Sequence, residues 1–267
     1  LRPLVESIGC FMDKKKNKSY FLCLDIGNTR SKVAIFDPKS NQLRKLWIWD
    51  TIDKKKLLRI LLKYKIAAAI VSSVNRPNPR LLKWLRKRLQ ILVDLNHKTP
   101  LPITNAYLTP ETLGKDRLAN AVGAWSLGEK SVSTLIIDAG TCVKYDFLQE
   151  NNSYLGGVIS LGLQMRAKAL QHFTARLPLV EPFLPPNPYG RNTQEAMNLG
   201  IVKGLVAEIN HFHQHYSHLA GDNIKVILTG GDINFLQTWA EFPNVSEPNL
   251  VLIGLHQILK YNVENYQ

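Results

Sequence analysis

LDIGNTRSKVAIFD, residues 24–37, has a near echo in IIDAGTCVKYDFL, residues 136–148. In each, an apolar strand delivers an aspartate, a glycine follows two residues on, and a threonine lies beyond it. A second strand then leads away. Asp25 and Asp138 stand 113 positions apart. One strand–turn–strand of this composition is common; two at half-chain spacing point to two related half-molecules serving one ligand.

The chain between the echoes supports a duplication. After the first hairpin come a third strand, LRKLWIWD, a helix, KKKLLRILLKY, and a strand, IAAAIVSSV. A helix over 80–90, the short strand ILVDL and the helix RLANAVGAWSLG complete the first half. The second half opens with STLIIDAG, CVKYDFL and SYLGGVIS, three strands joined by turns. A helix over 162–172, the Pro-rich loop LPLVEPFLPPNPYG and a helix over 192–219 follow. Strand IKVILTG, helix INFLQTWA and a short strand LVLIG then run into the last helix. Each half reads as roughly β-β-β-α-β-α-β-α, an α/β unit with a mixed sheet flanked by helices. GEKSVS separates a helix from a strand, so the expected domains are 20–130 and 131–267.

Composition narrows the class. With 267 residues, 45% of them hydrophobic, the chain can bury a full core. The three cysteines, Cys10, Cys23 and Cys142, show no CxxC or paired spacing, which fits a reducing cytoplasm better than a disulfide scaffold. No apolar run approaches the roughly 18 residues of a membrane span. Residues 1–11 carry Glu6 and precede the basic KKKNK run, the wrong order for a secretory signal. Met12 reads as the natural start, with an upstream extension before it.

Charge is uneven along the chain. Residues 1–130 hold 26 Lys and Arg against 10 Asp and Glu, whereas residues 131–267 hold 8 against 11. A basic half suggests an anionic partner such as nucleic acid. In RLLKWLRKRLQIL (80–92), however, Leu81, Leu85, Leu89 and Leu92 form one apolar stripe with the basic residues mostly off it. No aromatic-interleaved basic motif accompanies the charge, so a solvated helix back is the preferred reading.

A pair of Asp-x-Gly hairpins suits phosphate chemistry. The turns present backbone N–H groups, glycine permits close approach of an anion, and a neighbouring Thr or Asn adds a donor. The strand-end Asp can hold Mg²⁺ or its waters against phosphate oxygens. A third element, ILTGGD (227–232), ends a strand with paired glycines where backbone can lie against a purine or ribose. Asp232 there reads as a cap or an adenosine-side contact.

This order of elements resembles the phosphate-1, phosphate-2 and adenosine segments of the acetate and sugar kinase/Hsc70/actin superfamily. TLGKDRLANAVGA (112–124) and YLGGVISLGLQMRAKAL (154–170) resemble the signature segments of type III pantothenate kinase, the first enzyme of coenzyme A biosynthesis. The resemblance runs from about residue 21 to the last helix, with every motif in family order. It implies two duplicated RNase H-like (actin-like ATPase) domains, phosphorylation of pantothenate by ATP, a homodimer, Mg²⁺ and a monovalent cation, K⁺ or NH₄⁺. Carried over by position, the ATP-binding turn falls on Asp25, Ile26, Gly27, Asn28, Thr29, Arg30, Ser31 and Lys32, with Thr141 a further ATP contact. Pantothenate falls to Tyr107, to Gly114, Lys115, Asp116 and Arg117 of the G-x-D-R motif, and to Thr193. Asp116 takes the role of proton acceptor, and Asp138 that of ligand to the monovalent cation.

The chemistry agrees with that assignment. A primary alkyl hydroxyl is a poor nucleophile until a base accepts its proton, and a carboxylate at Asp116 can do so. Arg117 stands ready for an anion, either the substrate carboxylate or the transferring phosphate. Without the resemblance, GKDR reads as a helix N-terminus with Asp116 favouring the dipole.

Two departures from the family pattern stand out. Leu161 takes the place of the usual Pro before Gly162. In the second hairpin Cys142 and Lys144 replace Ala and Thr. Strand alternation, in the preferred reading, turns Lys144 to solvent; the alternative brings its ammonium near the phosphate-binding turn. The competing functions are another small-molecule kinase of the superfamily and a non-catalytic regulatory or nucleic-acid-binding relative. HFHQHYSH (211–218) spaces His211 and His215 at i, i+4, but Ile201, Leu205, Ile209, Phe212, Tyr216 and Leu219 form that helix's apolar stripe. The histidines therefore read as a solvated flank rather than a metal site.

Overall fold

The first hairpin forms as its alternation requires. Strand β1 (Tyr20–Ile26) runs antiparallel to β2 (Ser31–Phe36), with Phe21 opposite Phe36 and Asp25 opposite Lys32. β3 (Leu43–Trp49) completes the meander. Helix α1 (Lys54–Lys63) then crosses over to β4 (Ile66–Ser73), parallel to β1, and α2 (Pro79–Arg86) leads to β5 (Ile91–Asp94), parallel to β4. Both helices start on strong caps. The Asp53 carboxylate accepts from the Lys55 and Lys56 amides, and Asn78 caps α2 ahead of Pro79, whose missing N–H costs nothing at that position. Leu57 and Ile60 of α1 and Leu81 and Leu85 of α2 pack on Leu22, Leu24, Val33 and Ile35.

The second sheet repeats this plan. It takes a short strand β6 (Thr104–Asn105), then helix α3 (Lys115–Leu127), then the meander β7 (Ser133–Ala139), β8 (Cys142–Leu148) and β9 (Ser153–Leu161). Helices α4 (Leu163–His172) and α5 (Thr193–Leu219) follow, then β10 (Ile224–Thr229), α6 (Ile233–Trp239), β11 (Val245–Ser246) and α7 (Leu250–Glu264). The first sheet has the order β3-β2-β1-β4-β5, and the second β11-β10-β7-β8-β9-β6. Read from the far side, β9-β8-β7-β10-β11 is the same arrangement, so the echo seen in the hairpins extends to both sheets. β6 is an addition, parallel to β9 at its edge.

This computed structural model describes residues 18–27, 29–74, 78–129 and 131–265. The expectations for residues 1–11, for Met12 and for Asn28 lie outside the described residues. The chain divides into two compact units, one reaching to Thr99 and resuming at Leu259, the other Pro100–Ile258. The limits 20–130 and 131–267 follow the repeat, whereas packing groups residues 100–130 with the second sheet. The reason is local: β6 pairs with β9, and α3 packs on β7 and β8. The stretch from Leu259 returns to the first unit, where Lys260 Nζ donates to Asn41 Oδ1 at 3.2 Å.

Two elements differ from expectation. LVLIG (250–254) is the start of α7 rather than a strand. An apolar run of five is ambiguous alone, and here helical spacing wins, because Leu252, Leu255, Ile258 and Leu259 are all fully buried. In α5 the stripe Ile201, Leu205, Ile209 and Tyr216 is buried as expected, with Phe212 packed beside it, but Leu219 is 63% exposed beyond its end. Each buried aliphatic of that stripe stabilises the helix by about 1.5–3 kcal/mol relative to exposure, so the stripe together outweighs any single cap.

Candidate active site

The charged cluster of the second unit forms where α3 meets β8. α3 starts after Gly114, which offers no side-chain cap, and Asp116 is the acidic residue of its first turn, at the positive end of the helix dipole. β8 alternates in the ordinary way. Val143, Tyr145 and Phe147 enter the apolar core, and Lys144 and Asp146 face the other side, against α3. Two ion pairs form there. Lys144 Nζ lies 2.7 Å from Asp116 Oδ2, and Arg117 gives Nε and Nη2 to Asp146 Oδ1 at 2.9 and 2.6 Å. The Asp-Arg pair of the helix thus meets Lys-x-Asp of the strand with opposite signs.

Lys144 makes a second contact, 2.8 Å to Asp138 Oδ2. The same oxygen accepts from Asn120 Nδ2 at 3.1 Å, one helical turn beyond Asp116. Lys144 is directly opposite Asp138 across β7 and β8, and opposed residues of an antiparallel pair share one face. The expectation that Lys144 faces solvent is therefore wrong; its side chain is only 18% exposed. Burial works against its cation, but Asp138 and Asp116 outweigh that and hold the amine protonated.

Arg117 also departs from its expected placing. Its side chain is 4% exposed and engaged with a fully buried carboxylate rather than presented to an incoming anion. Burial opposes the guanidinium charge, and the bonds to Asp146 more than offset it. Tyr154 Oη donates to the same Asp146 oxygen at 2.7 Å. The Arg117 guanidinium lies 5.6 Å from the Tyr107 ring centroid, and Tyr107 stacks on Tyr154 at 6.4 Å. Gly156 makes that stacking possible. Its φ is +103°, and a Cβ there would lie 2.8 Å from the Tyr107 ring. Tyr107, Gly114, Asp116 and Arg117 are accordingly gathered in one place, with Lys115 half-buried as the first residue of α3.

The other expected residues lie on other turns and helix ends. Thr141 is exposed at the tip of the β7–β8 hairpin, its carbonyl accepting from the Gly162 amide at 3.1 Å. Thr193 is exposed at the start of α5. The Asp232 amide donates to the Ala139 carbonyl at 3.0 Å, tying the Gly230–Gly231 turn to the end of β7, and burial pushes its carboxyl up. In the first unit the turn after Asp25 and Ile26 closes with the Gly27 amide on the Arg30 carbonyl at 3.1 Å. Thr29 and Arg30 are exposed there, Ser31 is buried, and Lys32 is half-buried. Leu161, in the place of the usual Pro, is 41% exposed, and Cys142 Sγ lies 3.8 Å from Met165 Sδ.

Sequence reasoning missed Asp146 and Asn120. Asp146 had a signal, since Lys144-x-Asp146 lies on one strand face and mirrors the charges of Asp116-Arg117. It also missed Glu208, which accepts from Tyr145 Oη at 2.8 Å and Ser160 Oγ at 2.9 Å and pairs with Arg166. Nothing in the sequence announces contacts between residues so far apart. His211, His215 and His218 line a shallow surface hollow on α5. Among the described residues no three His, Cys, Asp or Glu side chains group closely enough to hold a metal ion. Among the same residues no helix is long and apolar enough to cross a membrane.

Similarity to known proteins agrees with the arrangement. Residues 21–215 match the family model of type III pantothenate kinase. The type III pantothenate kinase of Flavobacterium johnsoniae is 36% identical over 246 residues, covering 91% of this chain and 99% of the relative. That of Bacteroides fragilis is 39% identical over 242 residues, covering 90% and 98%. Among solved structures, one described as a conserved Baf family transcriptional activator from Campylobacter jejuni superposes with a TM-score of 0.59 at 22% identity, covering 91% of this chain and 99% of that one. A ROK family glucokinase from Streptomyces griseus gives 0.50 at 11% identity, covering 91% and 99%. These two share the fold, two RNase H-like sheets flanked by helices; the sequence matches are specific, and the chain belongs to the type III pantothenate kinase family.

Proposed function

We propose that this protein transfers the γ-phosphoryl group of ATP to the primary hydroxyl of pantothenate, giving 4′-phosphopantothenate in the first step of coenzyme A biosynthesis. The observation that carries the reading is Asp116, a carboxylate in the first turn of α3, held in place by Lys144 and followed by Arg117, whose guanidinium faces the Tyr107 ring. Asp116 accepts the hydroxyl proton as the oxygen attacks phosphorus. Phosphoryl transfer asks little else of a protein beyond positioning and neutralising charge. Tyr107, Gly114 and Lys115 line the pantothenate side, with Thr193 from α5. Arg117 serves by bracing Tyr107 and fixing α3 to β8 through Asp146, since its guanidinium is already committed.

The turn from Asp25 to Lys32, with Thr141, binds ATP. Asp25 and Thr29 offer carboxylate and hydroxyl oxygens, the donor class a hard divalent ion takes, so Mg²⁺ fits this turn. When bound it would neutralise charge on the nucleotide phosphates. A monovalent cation on Asp138 Oδ2 does not fit. That oxygen already accepts from Lys144 and Asn120, about as many donors as one carboxylate oxygen takes. The protein acts as a homodimer in this reading, supported by Leu155, Ile159 and Leu161, exposed at alternate positions of β9. Its place is the cytoplasm, where Cys23 and Cys142 stay as thiols.

ADP release from ATP and Mg²⁺, measured with and without pantothenate, tests the reading. Release that requires pantothenate is expected, and none is expected with glucose or N-acetylmannosamine. ADP release that ignores pantothenate but follows a sugar would replace this proposal with a sugar kinase.

A further inference from the structure

We propose that the Lys144 ammonium is a built-in replacement for the monovalent cation, so that phosphoryl transfer by this protein needs no added K⁺ or NH₄⁺. The proposal rests on the phosphotransferase reading above and adds to it. Three observations support it, all within the second unit.

The first is position. Lys144 Nζ lies 2.8 Å from Oδ2 of Asp138, the residue to which the family resemblance assigns the cation. A second cation on that oxygen would meet both the repulsion of the ammonium and an acceptor already occupied by Asn120. The second is register. Lys144 lies opposite Asp138 in a hairpin whose pairing runs unbroken from Thr134 with Leu148 to Ala139 with Val143. A one-residue slip that turned Lys144 outward would also expel Val143, Tyr145 and Phe147 from the core, so the ammonium is held where it is. The third is the bridge. The same Nζ holds Asp116 Oδ2 at 2.7 Å and so ties the proposed proton acceptor on α3 to Asp138 on β7. A surface lysine samples many rotamers, whereas this one is anchored on two carboxylates and is 18% exposed. It supplies the single positive charge and the fixed geometry that a bound K⁺ would supply, without a binding step. Lys144 is thus a positioning residue for Asp116 and a fixed charge beside the phosphate-binding hairpin.

The test compares the native chain with Lys144→Thr and Lys144→Met. ADP release is titrated with KCl or NH₄Cl in a background of tetramethylammonium chloride at constant ionic strength. The native protein is expected to show a flat response. The variants should lose turnover about a hundredfold in tetramethylammonium, as for loss of one electrostatic contact, and Lys144→Thr should regain much of it with K⁺ or NH₄⁺. A purely structural lysine would not give cation-specific rescue. Native activity that rises steeply with K⁺ overturns the proposal whether or not the variants fold. So does Lys144→Thr with native turnover in tetramethylammonium. A second measurement is independent of turnover: thermal unfolding in each salt. K⁺ should raise the midpoint of Lys144→Thr relative to tetramethylammonium and leave that of the native chain unchanged. A K⁺-specific rise in the native chain refutes the proposal even if no substrate is turned over, while absent pantothenate-dependent ADP release with the expected unfolding pattern refutes only the kinase reading.

Discussion

Arg117 and Asp146 form a two-toothed ion pair, Nε at 2.9 Å and Nη2 at 2.6 Å from one carboxylate oxygen, with side-chain exposures of 4% and 0%. A buried pair of this kind is not a large net source of stability, because desolvating both charges offsets most of their attraction. Breaking it is another matter. Asp146→Asn leaves the guanidinium buried with a neutral partner, and the unfolding free energy in urea is expected to fall by about 3–5 kcal/mol. Replacing both residues with apolar ones of similar size should restore most of that. A single variant within about 1 kcal/mol of the native chain would show that water already reaches the pair.

Asp116→Asn should separate chemistry from architecture. The amide oxygen can still accept from Lys144, and Lys144 keeps its contact with Asp138, so the fold and ATP affinity should persist. An amide cannot take up the hydroxyl proton, and turnover should drop on the order of 10²–10⁴-fold. Unchanged turnover with unchanged ATP binding would demote Asp116 to a helix-end residue.

The fold was legible because period-2 alternation and Asp-x-Gly turns are local signals, and they occur twice. The hairpins led correctly to two sheets of one strand order. What escaped was set by contacts distant in sequence. Residues 100–130 join the second sheet because α3 packs on β7 and β8, which no local pattern states. LVLIG failed because a five-residue apolar run suits strand and helix equally, and only Leu255, Ile258 and Leu259 decide it. Lys144 was readable in principle, since a residue opposite a site aspartate across a hairpin shares its face. Alternation along β8 alone does not say which face is buried; its pairing with β7 does.

The packing of α3 against α7 gives a further prediction. A Cβ on Gly254 would overlap the Ala119 carbonyl, and one on Gly123 would lie 2.5 Å from the Leu250 carbonyl. Both obstacles are backbone, so neither can step aside as a flexible side chain would. Gly254→Ala should force the helices apart and cost about 1–3 kcal/mol, as overpacking commonly does. α3 carries Asp116, Arg117 and Asn120, so turnover should fall as well, with ATP affinity less affected. Denaturant midpoints and kcat measured together check this. A variant that loses stability and keeps native kcat would show that the start of α3 is held by β8 alone.

Asp37 is expected to contribute to the acid limb of stability. It follows β2, is 5% exposed, and its Oδ2 receives Lys18 Nζ and Arg44 Nη2, each at 3.0 Å. The amides of Lys39 and Ser40 donate to its other oxygen at 3.1 and 3.4 Å. The bond from Lys18, then that from Arg44, holds its carboxyl well below the usual carboxylate range. A carboxyl whose folded value lies below its unfolded value of about 3.9 stabilises the fold above that pH. The contribution is lost as pH falls through the folded value, because the proton then binds the unfolded chain first. Native stability should accordingly decline as pH drops below about 4. Asp37→Asn should be less stable near neutrality and should show a shallower decline over the same acid range, since its amide does not titrate. Urea midpoints for both proteins between neutral and strongly acid pH measure the two slopes. Equal slopes would mean that Lys18 and Arg44 do not hold Asp37 ionised in solution, and that other carboxylates govern acid unfolding.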